Sequence, residues 1–270
     1  MSKNLILSAA IGYKFNQVEF FIKSLRKFYQ DSVTFLIGKE DEEIERELKK
    51  FGCETIKIEI SKKEIQFKRY EIFLNYLKTK DFKNILLCDS RDIYFQANPF
   101  EYNYKGQINF FLEDLPIRDC PYNSNWILKT YGKNELKKIA SKIILCSGTV
   151  LGQNEKIIEY LNLITSNIST FKYKKKLKYL LTLRHDPEGR GCDQGHANFL
   201  VHNSKIDNFN LYSNAGGPVA TVFYLNKIKF NRDSLLINNL GEPYSIVHQY
   251  DKRWSVFQKP LANFKTYIKI

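Results

Sequence analysis

Between residues 5 and 88 the chain alternates four short apolar runs with three helix-like stretches, and this alternation limits the fold more than any other feature. Leu5–Ala10 is the first run. Gln17–Tyr29 (QVEFFIKSLRKFY) then places Val18, Phe21, Ile22, Leu25 and Phe28 on one face of a helix. Val33–Gly38 is the second run, and Asp41–Phe51 is a charged amphipathic helix stopped by Gly52. Glu54–Ile60 (ETIKIEI) has the period-two pattern of a strand, Lys63–Lys80 reads as a long helix, and Asn84–Cys88 as the fourth strand. A β-α-β-α-β-α-β order predicts an α/β fold, with a mostly parallel sheet covered by helices.

The second half is less regular. Gln107–Leu112 and Lys142–Leu145 read as strands, the latter entering CSGTVLG. Asn134–Ser141, Glu155–Ile168 and Asp193–Val201 read as helices, and Leu235–Ile237 and Ser245–Val247 as late strands. No internal repeat or low-complexity linker divides the chain. The expectation is one domain over 1–270, with 1–106 and 107–270 as its two halves.

Seventeen tyrosines and twenty phenylalanines set the chain apart from disordered sequences. The net charge of +13 implies attraction to something acidic: nucleic acid, a phosphorylated sugar donor or glycan, or an anionic membrane. Its structural counterpart is a Lys-, Asn- and Ile-rich bias. Five widely spaced cysteines without a CxxC pair argue against a zinc site, and Cys88 and Cys146, in apolar runs, read as small core residues. A reducing, cytoplasmic setting fits them. The opening apolar stretch is too short for a signal peptide, and no segment nears the ~18 apolar residues of a membrane span. Phe171–Arg184 carries six Lys/Arg and no acid, so peripheral membrane contact through 171–184, or a grip on a phosphorylated glycan, stands beside a plain solvated helix face.

The stretch ILLCDSRD (85–92) ends an apolar run in charge. In parallel α/β sheets ligands bind outside the carboxyl ends of the strands. Carboxylates there can hold a hard divalent cation that also binds substrate phosphates. A helix cap or a salt bridge with Arg91 is the structural alternative.

ILLCDSRDIYFQANPF resembles the metal-binding region of GT-A fold, nucleotide-sugar-dependent glycosyltransferases, where an apolar strand ends in an Asp-x-Asp type motif. The acids here are three apart rather than two. Asp89 matches the first; Asp92 takes the place of the second, with Ser90 and Arg91 as alternatives. IILCSGTVLG (143–152) looks like the strand and Asn-Ala-Gly-type turn of that group, with Ser147 and Thr149 offering hydroxyls and Gly148 a close backbone approach. GCDQGHANFLVH (191–202) is similar to the Asp-Gln pair opening a helix in family 8 enzymes, which include glycogenin and bacterial lipopolysaccharide galactosyltransferases. The resemblance puts Asp193 by the sugar or acceptor and Gln194 by the reacting carbon; Asp193 as a helix N-cap is compatible with that. YSIVHQYDKRW (244–254) places His248 as a third metal ligand, with Lys252 and Arg253 toward the diphosphate or in solvent. Arg69, flanked by Lys68 and Tyr70, suits a phosphate contact. Ala9, Ala10 and Tyr13 follow strand one, where the fold receives the nucleotide. His196 and His202 read as a turn residue and a packed surface histidine.

The resemblance implies a GT-A (Rossmann-like) fold with an acceptor-binding C-terminal half, and a hexosyltransferase using Mn²⁺ or Mg²⁺ held by Asp89, Asp92 and His248. The donor would be a nucleotide-diphosphate sugar, UDP-sugar favoured, and the acceptor a glycan or glycolipid, as in surface polysaccharide synthesis. The Asp-Gln pair and the late histidine tilt the stereochemistry to retention; inversion would make Asp193 the base. The region 113–135 would shape specificity, with Trp126 stacking on a sugar or anchoring the core. The rival reading is a basic, non-catalytic module binding nucleic acid or a membrane surface, but no helix-turn-helix or zinc-finger signature supports specific nucleic-acid binding. A haloacid-dehalogenase-type phosphatase would carry its aspartates after the first strand, two apart. Nothing in the sequence sets an oligomeric state.

Overall fold

The structure, a computed structural model, describes residues 3–59, 64–182 and 191–267, and the side chains of all of these except 172–182. Its first half follows the expected order: β1 (Leu5–Ala9), α1 (Glu19–Leu25), β2 (Ser32–Gly38), α2 (Glu42–Lys50), β3 (Glu54–Ile58), α3 (Ile65–Leu77) and β4 (Asn84–Cys88). Of the expected bounds, Ile60 and Lys63 lie outside the described residues. After β4 come β5 (Ile93–Phe95), β6 (Ile108–Pro116), α4 (Pro121–Tyr131), α5 (Lys133–Ile139), β7 (Ile143–Gln153), α6 (Asn154–Thr182) and α7 (Cys192–His202). The chain continues through β8 (Phe209–Tyr212), β9 (Val219–Thr221), β10 (Ile246–His248) and α8 (Trp254–Tyr267).

A seven-stranded sheet runs β3-β2-β1-β4-β7-β6-β8. Only β7 is antiparallel to its neighbours, so the sheet is mostly parallel, as expected. Side-chain alternation on β1 explains why its run is apolar throughout. Leu5 and Leu7 join Phe73 and Leu77 of α3 and Tyr160 and Leu161 of α6 on one face. Ile6 joins Phe21 and Leu25 of α1 and Ile44 and Leu48 of α2 on the other. Burial on both faces favours continuous apolar runs over alternation. The edge strand β3 is less buried and keeps its polar alternation.

Two expectations are corrected. CSGTVLG is not a turn: it lies within β7, which pairs with β4 from Asn84↔Gln153 to Cys88↔Thr149. On its β6 side the register jumps between Phe110↔Val150 and Phe111↔Cys146, so Ser147–Thr149 bulge from that ladder. Leu235–Ile237 is not a strand. Its pairing is limited to the isolated bridges Phe230↔Leu236 and Ile237↔Pro243, because the Gln96 side chain takes both main-chain groups of Leu236.

A second sheet, β5-β10-β9, sits after β4 in the path of the chain. The strands β2 and β4 flank β1 on opposite sides, so the winding reverses between β1 and β4. That reversal opens a crevice at the carboxyl ends of the two strands. The backbone of 171–182 continues α6, but the basic side chains behind the membrane-contact expectation lie outside the described residues. Among the described residues no helix is long and apolar enough to cross a membrane.

Candidate functional site

The crevice is a cavity of about 1000 Å³, and the carboxyl end of β4 delivers Asp89 and Asp92 to it. His248 arrives from far along the chain because β10 pairs with β5: His248 lies opposite Ile93, and Gln249 N–H donates to the Asp92 carbonyl at 2.8 Å. His248 Nε2 is 3.6 Å from Asp89 Oδ2 and 3.6 Å from Asp92 Oδ1. These contacts are too long for good hydrogen bonds. Nε2 is buried without a hydrogen-bond partner, and the three ligand atoms lie within 4.8 Å of one another. A cation between them would satisfy all three.

Gly148 floors this gap. A Cβ there would stand 2.4 Å from His248 Cε1 and 2.7 Å from Asp89 Oδ2, so only glycine leaves the space open. The Gly148 carbonyl accepts from Asp89 N–H at 2.9 Å, which fixes where the aspartate leaves the strand. An imidazole beside two carboxylates suits Mn²⁺ better than Mg²⁺.

The surroundings tune the three ligands. Cys146 is buried in the core as expected, and its Sγ, 3.4 Å from His248 Nδ1, also backs the histidine. Burial works against the His248 charge, yet Cys146, Asp92 and Asp89 outweigh it and hold its pKa well above the ordinary range. Burial likewise opposes charge on Asp89, but Arg69 and His248 prevail and pull its pKa down. At Asp92 burial prevails and raises the pKa. A cation bound at Nε2 would need that nitrogen free of a proton.

Arg69 clamps two carboxylates. One N–H donates to Asp89 Oδ1 at 2.6 Å and another to Asp193 Oδ2 at 2.8 Å, which also accepts from Tyr70 O–H at 2.9 Å. Asp193 lies in the first turn of α7, but Gly191 is the N-cap and the Asp193 carboxylate caps nothing. Gln194 Oε1 accepts from Ser147 N–H at 3.3 Å.

The structure brings to the cavity wall Ala9, Tyr13, Ser90, Arg91, Ser147 and Lys252 of the expected nucleotide contacts. Ser90 Oγ–H is spent on the Ala9 carbonyl at 2.8 Å, and Arg91 pairs with Asp251 at 3.0 Å. Ala10 is fully buried in the core and off the wall. Lys68 pairs with Glu71, and Arg253 donates to the Phe223 carbonyl. His196 is buried within α7, bonded through Nδ1 to Tyr131 Oη, not in a turn. His202 Nε2 meets the Ile143 carbonyl at 2.9 Å.

Sequence reasoning passed over Glu113, which is 3 % exposed and lines the cavity. Gln194 Nε2 donates to its Oε1 and to Asn123 Oδ1, both at 3.3 Å. Burial raises the Glu113 pKa to about 7 against the pull of His248. A signal existed: INFFLED ends an apolar run in acid as ILLCDSRD does, and β6 runs parallel to β8 and points its carboxyl end to the same edge as β4. No protein-family model matches the chain, and no curated protein matches it.

Proposed function

We propose that the chain is a metal-dependent glycosyltransferase of GT-A type, moving a sugar from a nucleotide-diphosphate donor, UDP-sugar favoured, to a glycan or glycolipid. One observation carries this reading: Asp89, Asp92 and an unpaired His248 Nε2 converge on a space that Gly148 keeps open, at the switch point of a mostly parallel sheet. When bound there, a divalent cation supplies positive charge to the two phosphates of the donor.

Asp89, Asp92 and His248 would hold it, with Arg69 and Cys146 fixing two of those ligands. Tyr13 and Ala9 border the path for the nucleoside, and the exposed Lys252 is placed to meet phosphate oxygens. In the reaction the anomeric C–O bond breaks and the nucleoside diphosphate leaves with the electron pair. The acceptor hydroxyl oxygen forms the new bond and its proton passes to the departing phosphate. The tie of Asp193 Oδ2 to Arg69 and Tyr70 speaks against a free base there and supports retention. Gln194 then lines the sugar's side of the cavity.

The test is calorimetric titration with UDP, GDP and their common sugars, with Mn²⁺ and after EDTA, on the wild type and Asp92→Ala. Metal-dependent nucleotide binding lost in the variant is the expected result. Absence of binding to every nucleotide in both conditions would refute the transferase reading.

A further inference from the structure

Glu113 has no place in the metal site, yet it is a buried carboxylate without a cation. Among the described residues no Lys, Arg or His lies within ion-pair distance of it, and its sole hydrogen bond is the 3.3 Å contact from Gln194 to Oε1. Burying a carboxylate without a cation is costly unless a ligand supplies donors. Glu113 lines the cavity, and among the described residues nothing donates to its second oxygen. Beside it, Asn123 and Gln194 are bonded to each other and retain unused amide capacity.

The same cavity is also lined by aromatic side chains. Trp126 is locked in place by two glycines, since a Cβ at either Gly191 or Gly195 would come within 2.9 Å of it. Tyr122, one turn earlier on α4, lies 6.2 Å from Trp126 ring to ring and is 66 % exposed. Phe223, from the segment after β9, is 40 % exposed at the same mouth. Large aromatic groups left in water at the rim of a polar cavity are costly unless a ligand covers them. Polar acceptors and flat apolar groups lining one cavity match one ligand shape: a ring with C–H faces and a hydroxyl edge.

We propose that this half of the cavity is a pyranose subsite, in which Glu113, with Asn123 and Gln194, takes a pair of neighbouring hydroxyls while Trp126, Tyr122 and Phe223 cover the ring faces. The inference rests on the transferase reading only for the sugar's use; the ring itself belongs either to the donor or to the acceptor.

Saturation-transfer NMR on the full chain with Mn²⁺ tests it. The probes are methyl glycosides of glucose, galactose, mannose and N-acetylglucosamine, and UDP beside UDP-glucose, UDP-galactose and UDP-N-acetylglucosamine. The variants are Glu113→Gln and Phe223→Ala, with Leu240→Ala, exposed and away from the cavity, as the control. The expected result is saturation of pyranose protons in at least one probe, affinity reduced about tenfold or more by Glu113→Gln and by a smaller factor in Phe223→Ala, and no change in the control. Signals from free glycosides assign the ring to the acceptor; signals confined to nucleotide sugars assign it to the donor. Phe223→Ala alters an exposed side chain, so it reports even if Glu113→Gln fails to fold. Mn²⁺-dependent UDP binding without pyranose signals overturns the subsite and leaves the transferase reading intact. Glycoside binding without any nucleotide binding does the reverse. Pyranose signals that neither variant weakens also overturn the assignment.

Discussion

A methyl group on residue 148 would sit 2.4 Å from His248 Cε1, in the space where the three ligand atoms converge. Gly148→Ala is therefore expected to abolish Mn²⁺-dependent nucleotide binding while leaving the circular dichroism spectrum unchanged; calorimetry beside that spectrum checks it. Glu113 makes a prediction about pH. Its pKa is 4.5 in the unfolded chain and about 7 in the folded one, so the native state holds the extra proton between those values. Stability from this group is complete below pH 4.5 and lost as pH rises through 7. Glu113→Gln removes the penalty. Urea unfolding should show the two proteins alike near pH 4.5 and the variant the more stable above pH 7, by roughly 3 kcal/mol at most.

At the scale of elements, the site depends on how β10 is held. Its His248 is carried to the aspartates on β10, which pairs with β5 and β9, and Gln96 directly follows β5. The buried Gln96 amide donates to the carbonyls of Leu236 and Tyr244 at 2.9 Å each, and its oxygen accepts from Leu236 N–H at 2.8 Å. One side chain thus does the work of a missing strand and anchors the segment leading into β10. Gln96→Ala orphans two buried main-chain groups, the Leu236 N–H and the Tyr244 carbonyl, while the Leu236 carbonyl keeps its bond from Tyr244 N–H. We expect a loss of about 2–4 kcal/mol in urea unfolding, together with weaker Mn²⁺ binding, because the histidine loses its fixed position. A variant that loses stability but keeps metal affinity would show that the pairing of β10 with β5 and β9 positions His248 without Gln96.

For the whole molecule, the proposed metal site, whose residues are far apart in the chain, would link ligand binding to global stability. Unfolding separates His248 from Asp89 and Asp92, so an ion and nucleotide bound to the folded state stabilise it by mass action. At a hundredfold excess over Kd this amounts to about 2.7 kcal/mol, or roughly 5–10 °C in Tm. Differential scanning calorimetry with Mn²⁺ and UDP should show that rise, and EDTA should reverse it. The charge of +13 adds attraction for a phosphate-bearing ligand, which salt should weaken.

The order of strands and helices through residue 88, and the delivery of Asp89 and Asp92 to a strand end, were determined by the sequence alone. Hydrophobic period and helix stops are local, and a parallel sheet follows from their alternation. The path of CSGTVLG was not legible, because a strand with a bulge and a turn share glycine and small polar residues. Leu235–Ile237 misled for a related reason: Leu236 at its centre is buried, but Gln96 takes bonds a strand partner would have made. His248 could be proposed only by resemblance, and Glu113 was missed although it ends an apolar run in the same way as Asp89. Which distant side chains meet is decided by strand pairing across the sheets. The register of β10 on β5, the bulge in β7 and the parallel course of β6 brought one histidine and one glutamate to the edge that β4 had already marked.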